Sequence, residues 1–262
     1  MNESAASLPA SSAALEYDGL AVSHVPPSSS AVTKVMVITL NRPHKYNAVT
    51  LGMLDGLEAL FNTIGEDPRV RAVVLTGEGK ASSAGVDLDV GFTGMPSLKE
   101  SEQTMRDFRD WGGRVALAIT NCKKPTVFAV NGAAVGVGLT MTLPATIRVA
   151  WEGARCGLPF SRRGIVLESC SAFFLPRLIG LSRGSHIVVA TGDVYAVTDP
   201  LTSLVSTKLM RDMLLRFPAS PEGAHVLDSR IFLQLAGTAD NVEGLASFLE
   251  KRAPNFTDTA SP

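Results

Sequence analysis

The sequence predicts an α/β fold, because short β-branched segments alternate with helical patterns along the chain. Val70 to Leu75 reads VRAVVL and is typical of a buried strand, whereas Thr50 to Ile64 carries apolar residues at the spacing of one helix face. The chain has 262 residues, of which 45% are hydrophobic. It is therefore long enough to bury a substantial core as one large domain, or as one domain with an appendage.

Local residue patterns place the elements in order. The first predicted strand ends at Asn41-Arg42-Pro43, and Thr50 is a suitable N-cap for the helix that follows. A polar loop is predicted from Gly77 to Asp89, and Gly112-Gly113 should bend or interrupt a later helix. The predicted strands are 32–40, 70–75, 126–130 and 147–150, the predicted helices are 51–64 and 97–121, and 152–170 is predicted to be irregular.

Composition excludes two classes of protein. A formal net charge of −1 argues against a nucleic-acid partner, which would need a basic excess. The three cysteines, Cys122, Cys156 and Cys170, are odd in number and lack metal-ligand spacing, and the four histidines make no zinc pattern. We therefore expect no metal site and a reduced intracellular compartment.

The two ends of the chain are predicted to be tails. Residues 1–30 are rich in Ser, Ala and Pro, which predicts a disordered N-terminal tail, and 257–262 forms a second tail. No Lys or Arg precedes Lys34, which argues against a secretory or transit leader. The chain ends Ala-Ser-Pro, which is not a peroxisomal signal of the Ser-Lys-Leu type. The expected compartment is the peroxisome or the cytoplasm, and the sequence does not decide between them.

The segment from Lys124 to Arg148 carries no charge between its ends. Its length would suffice to cross a bilayer. An Asn-Gly turn signal, four threonines and a proline near each end instead favour a strand, a glycine-rich loop and a short helix, and hence no membrane span. The backbone amides of Gly136, Val137 and Gly138 at such a helix start would favour a developing negative charge.

Residues Gly180 to Gly184 spell G-x-S-x-G, the nucleophile elbow of serine hydrolases. His225 lies downstream, with Asp193 and Asp199 between, so the chain order fits a catalytic triad. The elbow requires a central strand directly before it, however, and Pro176 disqualifies that segment. A turn between two helices, with the serine as a cap, is the favoured interpretation.

Four motifs, in order and in register, resemble the enoyl-CoA hydratase/isomerase (crotonase) superfamily. They are Asn41–Ala48 (NRPHKYNA), Ser83–Leu88 (SAGVDL), Ala129–Gly138 (AVNGAAVGVG) and Phe248–Phe256 (FLEKRAPNF). The resemblance implies a crotonase-like spiral of β-β-α units over 31–200, followed by a C-terminal helical region over 201–256 for oligomerisation and coenzyme A contact. It also implies a homotrimer or hexamer.

The resemblance assigns site residues. Val86 and Val137 would supply the two oxyanion-hole N–H groups for a thioester oxygen. The substrate would be an acyl-CoA, with coenzyme A part of the substrate and no separate cofactor. The residues implied to contact coenzyme A are Lys45, Ala81, Ser83, Gly85, Gly136, Phe248 and Lys251.

The chain departs from the hydratase pattern at both catalytic carboxylates. Thr140 and Phe160 stand where hydratases carry the two glutamates that handle water. The stretch from Pro159 to Ser171 instead resembles the Δ3,Δ2-enoyl-CoA isomerase branch, whose single catalytic glutamate falls at Glu168. A dry setting beside Ile165-Val166-Leu167 would raise its pKa toward that of a useful base, whereas a solvated or capping Glu is the alternative.

The resulting hypothesis is an isomerase that shifts a double bond from position 3 to position 2 of an enoyl-CoA. An enoyl-CoA hydratase and an inactive acyl-CoA-binding protein stay open as alternatives. The inactive form is favoured by an apparent shortening, because a family strand and most of a helix are missing around Pro200. The pathway is also open between fatty-acid β-oxidation and a fatty-acyl or polyketide-derived secondary metabolism.

Overall fold

The computed structural model describes residues 8–10, 15–89, 101–190, 203–216 and 218–256. The strands are β1 (Leu20–His24), β2 (Val35–Leu40), β3 (Ala72–Gly77), β4 (Ala81–Ser83), β5 (Thr126–Val130), β6 (Ala133–Val135), β7 (Ile147–Ala150) and β8 (Cys156–Gly157). The α-helices are α1 (Leu51–Glu66), α2 (Glu102–Asp107), α3 (Trp111–Asn121), α4 (Val137–Thr140), α5 (Ser171–Ile179), α6 (Leu181–Ala190), α7 (Leu204–Arg216), α8 (Pro221–Leu235) and α9 (Ala239–Leu249).

The chain divides into two compact units. The first unit comprises Met1–Asp87 and Arg114–Cys156, and the second unit comprises Leu88–Gly113 and Gly157–Pro262. This division differs from the predicted boundary at residue 200, because packing follows spatial neighbours and the chain returns to each unit. The sequence suggests a shortening within residues 191–202, and these residues lie outside the described part of the chain.

A five-stranded sheet forms the centre of the first unit, in the order β1-β2-β3-β5-β7. Strand β1 pairs antiparallel with β2, and the other neighbours run parallel. Buried and half-buried residues alternate along β2 and β3, as expected for strands whose two faces differ in environment. The predicted strands over 32–40, 70–75, 126–130 and 147–150 are confirmed, with shifts of up to three residues at their ends.

Strand β1 lies inside the predicted disordered tail over 1–30, and for residues 20–24 that prediction is wrong. Leu20 pairs with Leu40, and His24 pairs with Met36. Leu8 is buried as well, and its carbonyl accepts a hydrogen bond from Arg69 Nη2 at 2.6 Å. A five-residue strand in a Ser- and Pro-rich context carries too little periodicity to be recognised locally, and its stability comes from pairing with β2.

Helix α1 follows the prediction. The Thr50 hydroxyl accepts a hydrogen bond from the Met53 amide at 3.2 Å and so caps the helix. The apolar positions of the predicted face are buried: Leu54, Leu57, Leu60, Phe61 and Ile64. Each such side chain stabilises the fold by about 1.5–3 kcal/mol relative to exposure.

The second sheet has the order β4-β6-β8, and none of its three strands is among those that the sequence predicts. Strand β4 lies inside the predicted polar loop from Gly77 to Asp89, and it pairs in parallel with β6. Strands of two or three small residues give no alternating pattern, so only the pairing itself reveals them.

The predicted helix over 97–121 is interrupted before the glycines rather than at them. Helix α2 ends at Asp107, and α3 begins at Trp111 with Gly112-Gly113 inside its first turn. The Asp110 carboxylate accepts a hydrogen bond from the Gly113 amide at 2.7 Å, as an N-cap does. Residue 113 must be glycine, because a Cβ there would lie 2.0 Å from His225 Cδ2.

The uncharged segment from Lys124 to Arg148 forms β5, β6, α4 and β7. The alternative of a membrane span for this segment is therefore wrong. No helix within the described ranges is long and apolar enough to cross a membrane.

Candidate active site

The two glycine-containing loops of the first unit lie against each other. They follow the paired strands β4 and β6. A Cβ on Gly138 would lie 2.6 Å from the Ser83 carbonyl oxygen, and one on Gly85 would lie 2.9 Å from the Val135 carbonyl oxygen. Glycine at both positions therefore permits the backbones to approach closely.

The Val86 amide is turned away from the neighbouring backbone segment. Val49 forms an isolated parallel bridge with Val86, in which the Val49 amide donates to Gly85 O and the Asp87 amide donates to Val49 O, both at 2.8 Å. Successive amides of an extended chain point in opposite directions. The Val86 N–H therefore points to the side opposite Val49, where a ligand can accept a hydrogen bond from it.

The Val137 amide stands at the start of α4. Gly136 precedes it with φ 53° and ψ −128°, a backbone conformation that favours glycine. The Gly136 carbonyl accepts hydrogen bonds from the amides of Leu139 and Thr140, both at 2.9 Å. As the first residue of the helix, Val137 has no intrahelical acceptor for its own N–H.

Buried side-chain amides and hydroxyls hold these loops in place. Asn47 Nδ2 donates to the carbonyls of Ala81 at 2.7 Å and Glu78 at 2.8 Å. The Ser83 hydroxyl donates to Asn47 O at 2.8 Å and accepts from the Gly85 amide at 3.3 Å. The Ser83 hydroxyl is thus occupied in supporting the loop, and only the backbone of this residue is left for a ligand.

An ion pair ties the first motif to the second. Arg42 Nη1 lies 3.0 Å from Asp87 Oδ2 and donates to Ala48 O at 2.6 Å. Sequence reasoning assigned no role to Arg42, Asp87 or Asn47. Their polar side chains inside two of the recognised motifs were the signal available.

The predicted coenzyme A contacts are distributed over both units. In the first unit, Lys45 is exposed in the 3-10 turn Pro43–Lys45, whereas Ala81 and Gly85 are buried. In the second unit, Phe248 and Lys251 line one pocket of about 460 Å³.

The pocket of the second unit is basic. Arg162, Arg163, Lys251 and Arg252 all line it, and Arg252 is paired with Glu243 and Glu250. The Arg163 guanidinium stacks 3.8 Å from the centre of the Phe248 ring, and burial together with neighbouring Arg162 lowers the pKa of Arg163 to about 10. Cations buried beside one another favour binding of an anion such as a phosphate.

Glu168 lies in the second unit and is only 6% exposed. The residues before it, Ile165, Val166 and Leu167, are buried, so its surroundings are dry and the alternative of a solvated glutamate is wrong. The Ser169 hydroxyl donates a hydrogen bond to the carboxylate. The Glu168 carbonyl accepts from the Ser171 amide at 3.0 Å, so its backbone also supports the start of α5.

Two further buried carboxyls accompany Glu168, and the sequence did not reveal them. Asp110 is 3% exposed, and Asp228 is fully buried. Within the described ranges neither carboxyl oxygen of Asp228 has a hydrogen-bond partner. The nearby Cys170 amide favours the charged form of the Asp228 carboxyl, but it does not form a hydrogen bond of normal geometry with that carboxyl. Burial, and next the charges of Asp110 and Glu168, raise the pKa of Asp228 well above its usual value.

The hydratase positions carry no carboxylate. Thr140 is buried in α4, and Phe160 is buried directly before the 3-10 turn Ser161–Arg163. The two side chains therefore cannot take the acid and base roles that hydration requires.

The serine-hydrolase alternative is wrong. Ser182 is exposed in the first turn of α6, which follows α5 rather than a strand. His225 is buried, and its Nε2 lies 3.3 Å from Asp110 Oδ2. Asp193 and Asp199 lie outside the described residues.

Comparison with known proteins places these features in a family. Residues 30–216 match the model of the family described as enoyl-CoA hydratase/isomerase. The chain is 41% identical over 254 residues to the enoyl-CoA hydratase AFT3-1 of Alternaria alternata, covering 86% of this chain and 83% of the relative. It is 30% identical over 262 residues to the mevalonyl-coenzyme A hydratase SIDH of Beauveria bassiana, covering 86% and 92%.

Solved structures show the same fold. An enoyl-CoA hydratase/isomerase from Pseudoalteromonas atlantica has a TM-score of 0.67 at 27% identity, covering 91% of this chain and 100% of the other. An enoyl-CoA hydratase from Mycobacterium avium subsp. paratuberculosis has a TM-score of 0.69 at 22% identity, covering 93% and 100%. The chain therefore has the crotonase fold and belongs to the enoyl-CoA hydratase/isomerase family.

Proposed function

We propose that the protein isomerises 3-enoyl-CoA thioesters to 2-enoyl-CoA thioesters. The observation that carries this proposal is the pattern of carboxylates. Glu168 is a buried carboxylate, whereas Thr140 and Phe160 occupy the two positions where hydratases carry theirs. One carboxylate suffices for isomerisation, since a proton is moved within the substrate and no water is added.

In the proposed reaction, Glu168 takes a proton from C2 of the substrate. The electrons of that C–H bond form a dienolate, and the negative charge develops on the thioester oxygen. The amides of Val86 and Val137 donate to this oxygen, and each is expected to lower the barrier by about 3 kcal/mol. Glu168 then returns the proton to C4, which leaves the double bond between C2 and C3.

An acyl-CoA fits the charge of the second-unit pocket. Arg162, Arg163 and Lys251 there match the phosphates of a nucleotide, whereas Arg252 is paired with Glu243 and Glu250. The exposed ring of Phe248 offers an apolar face beside them. The assembly expected from the family resemblance, a homotrimer or hexamer, belongs to the same proposal.

Hydration of 2-enoyl-CoA is the second candidate. It is favoured by the names of the relatives, because AFT3-1 of Alternaria alternata and SIDH of Beauveria bassiana are both called hydratases. In this protein Glu168 alone would then have to activate the water and deliver the proton.

Parallel assays of the purified protein separate these functions. The conversion of a 3-enoyl-CoA and the hydration of crotonyl-CoA are followed by chromatography under the same conditions. We expect rapid isomerisation and weak or absent hydration. Hydration as fast as isomerisation would contradict the proposal, and acyl-CoA binding without turnover of either substrate would identify a binding protein.

A further inference from the structure

A network of buried polar groups in the second unit is centred on Asp110. Its Oδ1 accepts from the Gly113 amide at 2.7 Å, and its Oδ2 accepts from the Ser229 hydroxyl at 2.9 Å. His225 Nε2 lies 3.1 Å from Asp110 O and 3.3 Å from Asp110 Oδ2. Since both neighbours are acceptors, Nε2 carries a hydrogen. Helix α8, which carries His225 and Ser229, therefore fixes the Asp110 carboxylate in one orientation.

The network reaches Glu168 through one residue. Asp110 Oδ1 also accepts from the Ser169 amide at 3.4 Å, and the Ser169 hydroxyl donates to the Glu168 carboxylate. Ser169 and Cys170 both have left-handed backbones, with φ of 55° and 56°. Such a conformation costs about 1–2 kcal/mol for each residue that is not glycine. Contacts such as the one from Asp110 are needed to hold this turn.

Several charged or titratable groups share these surroundings. From the turn before α5 they are Glu168 and Cys170, and from α8 they are Glu222, His225 and Asp228. Burial and these neighbouring carboxyls raise the pKa of the Cys170 thiol, so it is neutral. Burial also raises the pKa of Asp228. Asp110 differs from Asp228 in its contacts, because four hydrogen-bond donors converge on its carboxylate.

We propose that Asp110 is a positioning residue for Glu168, which it orients through Ser169 while His225 and Ser229 hold Asp110 itself. This inference rests on the proposed function, because the proposed function makes Glu168 the base that Asp110 orients.

The test compares Asp110→Ala, Asp110→Asn and Ser229→Ala with the wild-type enzyme. Asp110→Ala should lower kcat on the order of tenfold to a hundredfold with KM within about threefold, because misplacing the base affects the chemical step. Asp110→Asn keeps an acceptor oxygen for the Gly113 and Ser169 amides, so it should recover most of kcat. Recovery by asparagine but not by alanine is the result expected if Asp110 acts by holding this turn through its hydrogen bonds. Ser229→Ala should fall between these two variants in kcat.

Glu102→Gln is the matched control, since it removes a carboxylate of the same unit from an exposed surface pair with Arg106. It should leave kcat unchanged. A purely structural role for Asp110 predicts a lower melting temperature and a smaller folded fraction, with kcat per folded molecule equal to that of wild type in all three variants. That outcome would overturn the inference, and so would full kcat in Asp110→Ala.

Failure of the inference is distinguishable from failure of the proposed function. If wild-type protein isomerises and Glu168→Gln does not, the function stands, and the Asp110 variants alone decide the inference. If Glu168→Gln retains full turnover, the proposed function fails and the inference fails with it. Should Asp110→Ala not fold, the kcat values of Asp110→Asn and Ser229→Ala decide, and wild-type kcat in Ser229→Ala would overturn the inference.

Discussion

Replacement of Asp228 by asparagine should stabilise the protein at neutral pH. The carboxyl is fully buried without a hydrogen-bond partner within the described ranges, and burial, then Asp110 and Glu168, raise its pKa well above normal. Between the ordinary pKa of an aspartate and this raised pKa, it is therefore protonated in the folded protein and ionised in the unfolded chain. Asparagine has nearly the same shape and does not titrate.

The magnitude follows from proton linkage. Between the pKa of an unfolded aspartate, about 4, and the raised pKa in the folded state, the folded protein binds one more proton at Asp228 than the unfolded chain does. The contribution of Asp228 to stability is thus complete below pH 4 and is lost as the pH rises, by up to about 1.4 kcal/mol per pH unit. Asp228→Asn lacks this slope, so its advantage over wild type should grow by about 1.4 kcal/mol for each pH unit between the two pKa values.

Urea unfolding at a series of pH values between 4 and 7.5 measures this difference. The buried amide of asparagine adds a desolvation cost of about 1–3 kcal/mol, but that cost does not change with pH. Exposed Glu222→Gln serves as the control and should track wild type. A difference between Asp228→Asn and wild type that stays constant with pH would refute a protonated Asp228.

Two further predictions concern the glycine loop. Val137→Pro removes the amide hydrogen and should lower kcat on the order of a hundredfold with a smaller effect on acyl-CoA binding, whereas Val137→Ala keeps the N–H and should be mild. If these two variants had equal turnover and equal stability, the Val137 amide would have no catalytic role and the loop would be only a structural turn. Gly138→Ala should destabilise the protein by about 1–3 kcal/mol in thermal unfolding, because its Cβ would lie 2.6 Å from the Ser83 carbonyl oxygen. The control is Gly52→Ala in helix α1, where a Cβ would have only Thr50 Oγ1 within 4 Å, and it should not destabilise the protein. If both alanine variants have the same thermal stability, the close approach of the loops is not what requires glycine at residue 138.

The sequence was most informative where local rules determine structure. The Thr50 cap and the apolar face of α1 were predictable, because capping and helical spacing depend on a few neighbouring residues. The same holds for the strand, loop and short helix that contain Val137, since glycine and Asn-Gly mark turns directly.

Elements that depend on distant partners could not be predicted. Strands β1, β4 and β6 are short, and they are strands because of their pairing rather than their composition. The acidic cluster around Glu168 is the clearest case, because Asp110 and Asp228 lie about sixty residues away in opposite directions along the chain. No local pattern relates these three carboxyls, and only the packing of α8 against the turn before α3 and the turn before α5 brings them together.

Turnover of a 3-enoyl-CoA by Glu168→Gln tests the central claim most directly. Glutamine keeps the size of the side chain and can still accept the hydrogen bond from Ser169, but it cannot take a proton from the substrate. Glu102→Gln, at an exposed surface pair with Arg106, is the matched control. The account predicts loss of isomerisation in Glu168→Gln alone, with acyl-CoA affinity within a few-fold of wild type in both variants. Undiminished isomerisation by Glu168→Gln would contradict it and place the base elsewhere.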